Sequence, residues 1–408
     1  MSKALEHIRV LDLSRVLAGP FCTQILGDLG ADIIKIERPG AGDDTRQWGP
    51  PFLKDKNGND TSESAYYLSA NRNKKSLAID IKTKEGQALL NELIKGSDIL
   101  IQNFKVGGLD KYGLGYEQLK DKHPHLIYCA ISGFGQEGPL ASEPGYDFLA
   151  QAMAGLMSAT GEPDAPPMKV GVALSDIITG LNAAIGILAA LHHREQTGKG
   201  QMVDVALTDC TLASLSNLAQ YYLTSGKVAP RLGNAHSTIV PYQSFETADG
   251  HIIIAVGNND QFVRLCQTIG QSDWAADERF ATNRARVEHR ETLVPMIADI
   301  IKTKTTDKWL SLFRESDVPS GPVNTMDKVF DMEQIQTRGM QIQMDHPLSS
   351  GKIDLVGSPI KLSETPASYD NPPPICGEHT QEILEKLLGL SEEEIEDLKK
   401  KNIIEAKQ

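Results

Sequence analysis

Two short apolar runs, Ile8-Arg-Val-Leu-Asp-Leu13 and Ala31-Asp-Ile-Ile-Lys-Ile36, flank a stretch that turns at Ala18-Gly19-Pro20 and reads as a helix over residues 21–29. No other feature narrows the fold as far. A strand–helix–strand unit of this length joins parallel strands, and parallel sheets are covered by helices on both faces. Ligands in such sheets bind beyond the carboxyl ends of the strands. The first turn holds only Gly19, so the G-x-G-x-x-G fingerprint of dinucleotide binding is missing. That argues against a nicotinamide cofactor, even though Glu37 ends the second strand.

The same alternation continues. Residues 39–73 read as a long loop carrying Arg46, Trp48 and Tyr66, and loops of that length inside a domain are usually functional or mobile. Ser76-Leu-Ala-Ile-Asp-Ile81 reads as a strand, and Thr83 caps a helix bearing Leu89, Leu90, Leu93 and Ile94. Asp98-Ile-Leu-Ile-Gln102, Leu126-Ile-Tyr-Cys-Ala-Ile-Ser132 and Gln201-Met-Val-Asp-Val-Ala206 supply further strands. Composition changes near Ser225, where Gln243-Ser-Phe-Glu-Thr247 and His251-Ile-Ile-Ile-Ala-Val256 flank the hairpin signal Ala248-Asp-Gly250. The expected architecture is α/β: a Rossmann-like large domain over 1–224, a smaller α+β domain over 225–330, and a segment over 331–408 returning to the first. Two helices close the chain, the second with a Ser391/Glu394 capping box.

Composition excludes several classes. The 54 acidic residues against 41 basic ones, a net charge of −13, argue against wholesale nucleic-acid or anionic-membrane binding. Five scattered cysteines form no C-x-x-C and suggest neither a disulfide framework nor a zinc site. The first residues lack a signal-peptide core, and no apolar run reads as membrane-spanning. A cytoplasmic protein is expected, or one of an organelle matrix if a targeting segment has been removed.

One carboxylate stands out. Val170-Gly-Val-Ala-Leu-Ser-Asp176 leads into an apolar helix with Ile178, Leu181, Ile185, Leu188 and Leu191 on its expected buried face, ending at Thr197-Gly-Lys-Gly200. Asp176 can be an ordinary N-terminal cap. It can also be a nucleophile, since a carboxylate ionised at neutral pH attacks an activated acyl group without a separate base. Arg38, Arg72, Lys74, Lys75, Lys82, Lys105 and Lys111 lie near strand ends and are expected to form a basic rim suited to phosphates.

Residues 13–20 with Gly19-Pro20, Ile34-Lys-Ile-Glu-Arg38, Asn71-Arg-Asn-Lys-Lys-Ser76, Asn103-Phe104, residues 171–176, Gly198-Lys-Gly-Gln201, Gly321-Pro-Val323 and Gly377-Glu-His-Thr380 occur in this order along the whole chain. Together they resemble the class III (CaiB/BaiF) CoA-transferases. Gly42-Asp-Asp-Thr-Arg46, Trp48-Gly-Pro-Pro51, Tyr66-Tyr-Leu-Ser69 and residues 237–243 are most similar to members that exchange CoA between succinate and glutarate. The resemblance implies an interlocked homodimer and coenzyme A thioesters as substrates, with no tightly bound cofactor. It makes Asp176 the nucleophile. It places Arg38, Ile79, Asp80, Ile81, Lys82, Asn103, Phe104 and Lys111 at the CoA site, and Trp48, Tyr66, Tyr146 and Asp147 toward the acyl pocket. Leu17 stands where formyl-CoA transferases carry a glutamine beside the acyl group, which disfavours a formyl or oxalyl substrate. A dicarboxylate acceptor needs a cation for its far carboxylate, for which Arg46 and Arg72 are the candidates, with His236 weaker.

The resemblance also implies the chemistry: CoA passes from a donor such as succinyl-CoA to a dicarboxylate such as glutarate through acyl and CoA adducts of Asp176. Two alternatives stand beside it. An α-methylacyl-CoA racemase of the same fold needs Gly-His-Asp, where this chain has Gly145-Tyr146-Asp147, and tyrosine is a poor base at neutral pH. A non-catalytic CoA-binding protein needs no Asp176 at all.

Overall fold

The computed structural model describes residues 2–407. The chain divides into two compact units. The larger comprises Met1–Leu156, Val170–Leu223 and Gln334–Gln408, and the smaller Met157–Lys169 and Thr224–Glu333. The expected boundary at 224 thus misses an excursion over 157–169. The cause is local: Gly233 N donates to Gly161 O at 3.0 Å, and the Arg231 guanidinium donates to the carbonyls of Glu162, Pro163 and Ala165.

In the large unit, β1 (Arg9–Asp12), α1 (Ala18–Asp28) and β2 (Asp32–Glu37) form the opening unit. β3 (Lys74–Ile79), α2 (Lys84–Lys95), β4 (Ile99–Gln102), β5 (Ile127–Ser132), α3 (Asp147–Met153), α4 (Leu174–Thr197), β6 (Met202–Ala206), α5 (Leu207–Ser214) and β7 (Ile404–Glu405) follow. The sheet runs β7-β3-β2-β1-β4-β5-β6. Every pair is parallel except β7, which lies antiparallel along β3 and covers that edge. Chain order reverses between β1 and β4, the switch point at which doubly wound sheets open a ligand crevice.

Alternate residues of each strand feed two cores. Val10, Ile33, Ile99 and Ile101 pack with Cys22 and Leu26 of α1 and Ala183, Ile187 and Ala190 of α4. Leu11, Ile34 and Leu100 pack on the other face with Leu90, Leu93 and Ile94 of α2 and with Ile383, Leu384 and Ile395 of the closing helices.

Four expectations change. β3 starts at Lys74 rather than Ser76, because Lys74 and Lys75 pair in register with Ile33 and Ile34. Arg72, Lys74 and Lys75 therefore sit at the amino end of the strand, away from the expected basic rim. The long loop over 39–73 contains a single-turn helix at Asp44–Gln47, a hairpin of Phe52–Lys54 with Asp60–Ser64, and a short helix at Ala65–Leu68. On α4 the small residues Ala183, Ala184 and Ala190 are buried with Ile187 and Leu191, whereas Leu181, Ile185 and Leu188 lie exposed on the single chain. Close packing on α1 selects small side chains, so the large ones face outward. By length and composition α4 could cross a bilayer, contrary to the sequence reading, but 44% of its most apolar window is buried within the protein.

The small unit is built on the antiparallel sheet Ser320–Pro322, His251–Ala255, Tyr242–Glu246. Trp309, Phe313, Phe262 and Ile254 fill its core.

Candidate active site

At the switch point the turn after β1 and the end of β4 are tied together. Asn103 Oδ1 accepts from Arg15 N at 2.9 Å, and Asn103 Nδ2 donates to Arg15 O at 2.7 Å. Beside this turn a cleft opens over the carboxyl ends of β2, β3 and β4. Of the residues expected at a coenzyme site, Arg38, Ile79, Asp80, Ile81, Lys82 and Phe104 line it. Asn103 and Lys111 do not. The Asn103 carboxamide is committed to Arg15, and the Lys111 ammonium lies 4.9 Å over the Tyr112 ring. Arg15 and Tyr112 line the cleft and escaped the sequence reading. Arg15 could have been found from its place just past the carboxyl end of β1. It lies 5.7 Å over the Phe104 ring and 2.7 Å from Asp44. Lys82 also borders a second hollow with Lys399 of the final helix and Arg38.

Asp176 belongs to the first turn of α4 but does not cap it. The cap position is Ala173, which offers no side-chain bond. Asp147, at the start of α3, does that work instead. Its Oδ1 accepts from Ser175 N at 2.8 Å and Asp176 N at 3.3 Å, and its Oδ2 from Gln151 Nε2 at 2.8 Å. Asp147 is thereby a cap supplied from another helix, and Asp176 is left free of that role. One turn along, on the same face, Gly180 lets α4 approach α1 closely: a Cβ there would lie 2.6 Å from Ala18 O. Asp176 is thus carried toward the start of α1, where Leu17 is buried and its carbonyl accepts from Phe21 N at 2.7 Å.

Electrostatics set Asp176 apart. Burial, and then the charge of Asp147, push its carboxyl up to about 7. The expectation of a fully ionised carboxylate at neutral pH is therefore corrected: the free group is poised near half-ionisation. Tyr66 feels the same pair. Burial first, then Asp176, Asp147 and Asp43, raise its hydroxyl to about 12, so it remains a hydrogen-bond donor. Its ring meets Trp48 edge-on at 5.3 Å between centroids. Tyr146, next to Asp147, is exposed.

The two arginines proposed for a distant carboxylate are already committed. Arg46 is buried, with its Nη2 at 2.7 Å from Glu37 Oε2 and its Nη1 at 2.5 Å from Glu63 Oε2. It also donates to Tyr67 Oη and Pro374 O. Arg72 pairs with Asp28 at 2.5 Å and donates to Val356 O. A guanidinium so saturated tethers the insert or the return segment and has no fork left for a ligand. His236 lies in the small unit. Its ring meets Tyr242, and its Nδ1 accepts from Thr238 N at 3.1 Å.

Buried charges run beneath the turn after β1. Lys35 and Lys74 are wholly inaccessible to solvent. Lys35 Nζ pairs with Asp43 at 2.8 Å, and Lys74 Nζ lies 3.3 Å from Asp12. Burial pulls Lys74 down to about 8, whereas the partners of Lys35 outweigh burial and raise it. Lys74 was expected at the basic rim and is instead part of the core.

Comparison with known proteins places the chain in a family. A family model described as CoA-transferase family III matches residues 5–380. A mouse protein named succinyl-CoA:glutarate CoA-transferase is 45% identical over 403 residues, covering 99% of this chain and 91% of the relative. A succinate–glutarate CoA-transferase of Agrobacterium fabrum is 47% identical, covering 94% and 95%. The crystal structure of a CaiB/BaiF family protein from Brucella suis superposes with a TM-score of 0.84 at 45% identity, over 95% of this chain and all of that one. With a doubly wound sheet, a cleft at its switch point and a buried carboxyl in the first turn of α4, the chain belongs to CoA-transferase family III.

Proposed function

We propose that this enzyme moves CoA from succinyl-CoA to glutarate or a similar dicarboxylate through covalent adducts on Asp176. The observation that carries the reading is Asp176 itself: a carboxyl freed from capping, raised to about 7, with the Tyr66 hydroxyl in its field. A carboxylate of raised basicity and reduced hydration is a stronger nucleophile than an exposed one. The names of the relatives support the acids.

The steps balance without an outside reactant. An Asp176 Oδ attacks the thioester carbonyl of succinyl-CoA; the C–S bond breaks and CoA leaves as thiolate, giving a mixed anhydride. The thiolate attacks the Asp176 carbonyl, succinate departs, and an aspartyl–CoA thioester remains. The acceptor carboxylate attacks that carbonyl, forming a second mixed anhydride and freeing the thiolate again. Thiolate attack on the acceptor acyl carbon yields the new acyl-CoA and returns Asp176 to its carboxylate. Each exchange thus passes through a covalent intermediate, and Tyr66 is available to donate to oxygen as charge develops.

The CoA thioester enters as substrate, its nucleotide end in the cleft lined by Arg38, Ile79–Lys82 and Phe104. The protein acts as a homodimer. Leu181, Ile185 and Leu188 of α4, Leu212 of α5 and Leu149 and Met153 of α3 lie exposed on three helices that pack together, an apolar face that a second copy would cover.

The test is incubation with succinyl-CoA and glutarate followed by chromatography of the thioesters. Glutaryl-CoA and succinate in equal amounts support transfer. Deuterium exchange at the α-carbon of a 2-methylacyl-CoA, with no transfer to any of a panel of carboxylic acids, would overturn it in favour of racemisation.

A further inference from the structure

The turn between β1 and α1 is held by side chains at nearly every backbone polar group. Ser14 N donates to Asp12 Oδ1 at 2.9 Å, and Ser14 O accepts from Lys35 Nζ at 3.0 Å. Both peptide groups of Arg15 are taken by Asn103, and Val16 N donates to Asp43 Oδ1 at 3.3 Å. Within this frame Val16 has φ +72°, a left-handed conformation that a β-branched residue adopts only when its surroundings impose it. The next residue, Leu17, holds the cap position of α1, whose Ala18 carbonyl lies against Gly180 of the helix that carries Asp176. The turn therefore sets where the start of α1 stands relative to the nucleophile.

Among the four supporting side chains Asn103 differs in two ways. It is the only uncharged one, and it comes from the residue just past β4, across the switch point. Removing Asp12, Lys35 or Asp43 would strand a buried charge and unsettle the sheet. Removing the Asn103 carboxamide releases only the turn.

We propose that the Asn103 carboxamide is a positioning group for CoA transfer, clasping the strained Arg15–Val16 turn so that the start of α1 is held beneath Asp176. The inference rests on the transferase reading, and its experiment separates the two. Asn103→Ala is compared with the wild-type enzyme by amide hydrogen exchange across residues 14–17 without substrate, and by steady-state kinetics with succinyl-CoA and glutarate. Exchange at Arg15 should accelerate at least tenfold. kcat should fall at least tenfold, while KM for succinyl-CoA stays within twofold. Val16→Gly added to Asn103→Ala should recover much of the lost kcat, because glycine accepts the left-handed conformation without strain. A tenfold rise in KM for succinyl-CoA at unchanged kcat would overturn the inference and make Asn103 a coenzyme ligand. Unchanged exchange at Arg15 would overturn it as well. If the wild-type enzyme transfers no CoA, the functional reading fails, and the exchange measurement still decides whether Asn103 holds the turn.

Discussion

Asp147→Asn tests the electrostatics around Asp176 with little change of shape. An asparagine oxygen can still accept from Ser175 N and Asp176 N, so the start of α4 stays capped. Gln151 loses its acceptor at Asp147 Oδ2, at a cost of about 1 kcal/mol. The negative charge goes. Asp176 stands at about 7 against an ordinary 3.8, a penalty of about 4 kcal/mol on the ionised form, with burial the larger cause and Asp147 the second. Neighbouring like charges repel by on the order of 1 kcal/mol at a dielectric constant between those of protein and water, or close to one pKa unit. The assay is the pH dependence of kcat/KM for succinyl-CoA, which reports groups of the free enzyme. The wild-type profile should fall below pH near 7 as Asp176 takes up its proton. In Asp147→Asn that limb should move to lower pH by about one unit. A limb that stays in place or moves upward would refute the reasoning, because removing a like charge can only ease ionisation.

Stability should respond in the opposite sense at Asp176. Its folded-state pKa lies above the unfolded value, so stability is lost as pH rises from about 4 through about 7. Asp176→Asn should therefore gain up to about 4 kcal/mol at pH 8 and less than about 2 kcal/mol at pH 5, read from denaturant midpoints; an equal gain at both would contradict the shift. Arg46→Ala strands Glu37 and Glu63 in the core and should cost about 3–5 kcal/mol. A preserved Tm with a raised KM for glutarate would return Arg46 to the substrate site. Ile185→Glu on the exposed face of α4 should yield monomers by light scattering; an unchanged mass, dimeric or monomeric in both proteins, would remove that face from the interface.

The sheet was legible because its strands are short apolar runs spaced by helices and turns, a pattern that needs no partner to be recognised. The hairpin around Asp249 was legible for the same reason: Gln243 and Ile254 pair where the turn signal puts them. The misplaced start of β3 has a different cause. Two lysines read as strand-end residues, yet Lys74 is buried by a partner, Asp12, that lies 62 positions away. Arg46 and Arg72 were misjudged alike, since an arginine's availability depends on distant carboxylates. On α4 periodicity correctly found a helix and placed Ile178 and Leu191 inward, but it misplaced Leu181, Ile185 and Leu188, because the closest contact with α1 is made by Gly180 and alanines rather than by large side chains. Asp176 was visible as a candidate from its setting before an apolar helix. That Asp147 relieves it of capping, and that burial and then Asp147 push its carboxyl up, follows from three-dimensional proximity, and no spacing rule contains it.

On the proposed mechanism Asp176 becomes covalently acylated and then bears CoA. Intact-protein mass spectrometry after mixing with succinyl-CoA, with hydroxylamine trapping and peptide mapping, tests it most directly. A CoA-sized adduct and a hydroxamate at Asp176 are expected, both lost in Asp176→Ala. Glutaryl-CoA formed at full rate by Asp176→Ala, or an adduct mapped to another residue, would contradict it.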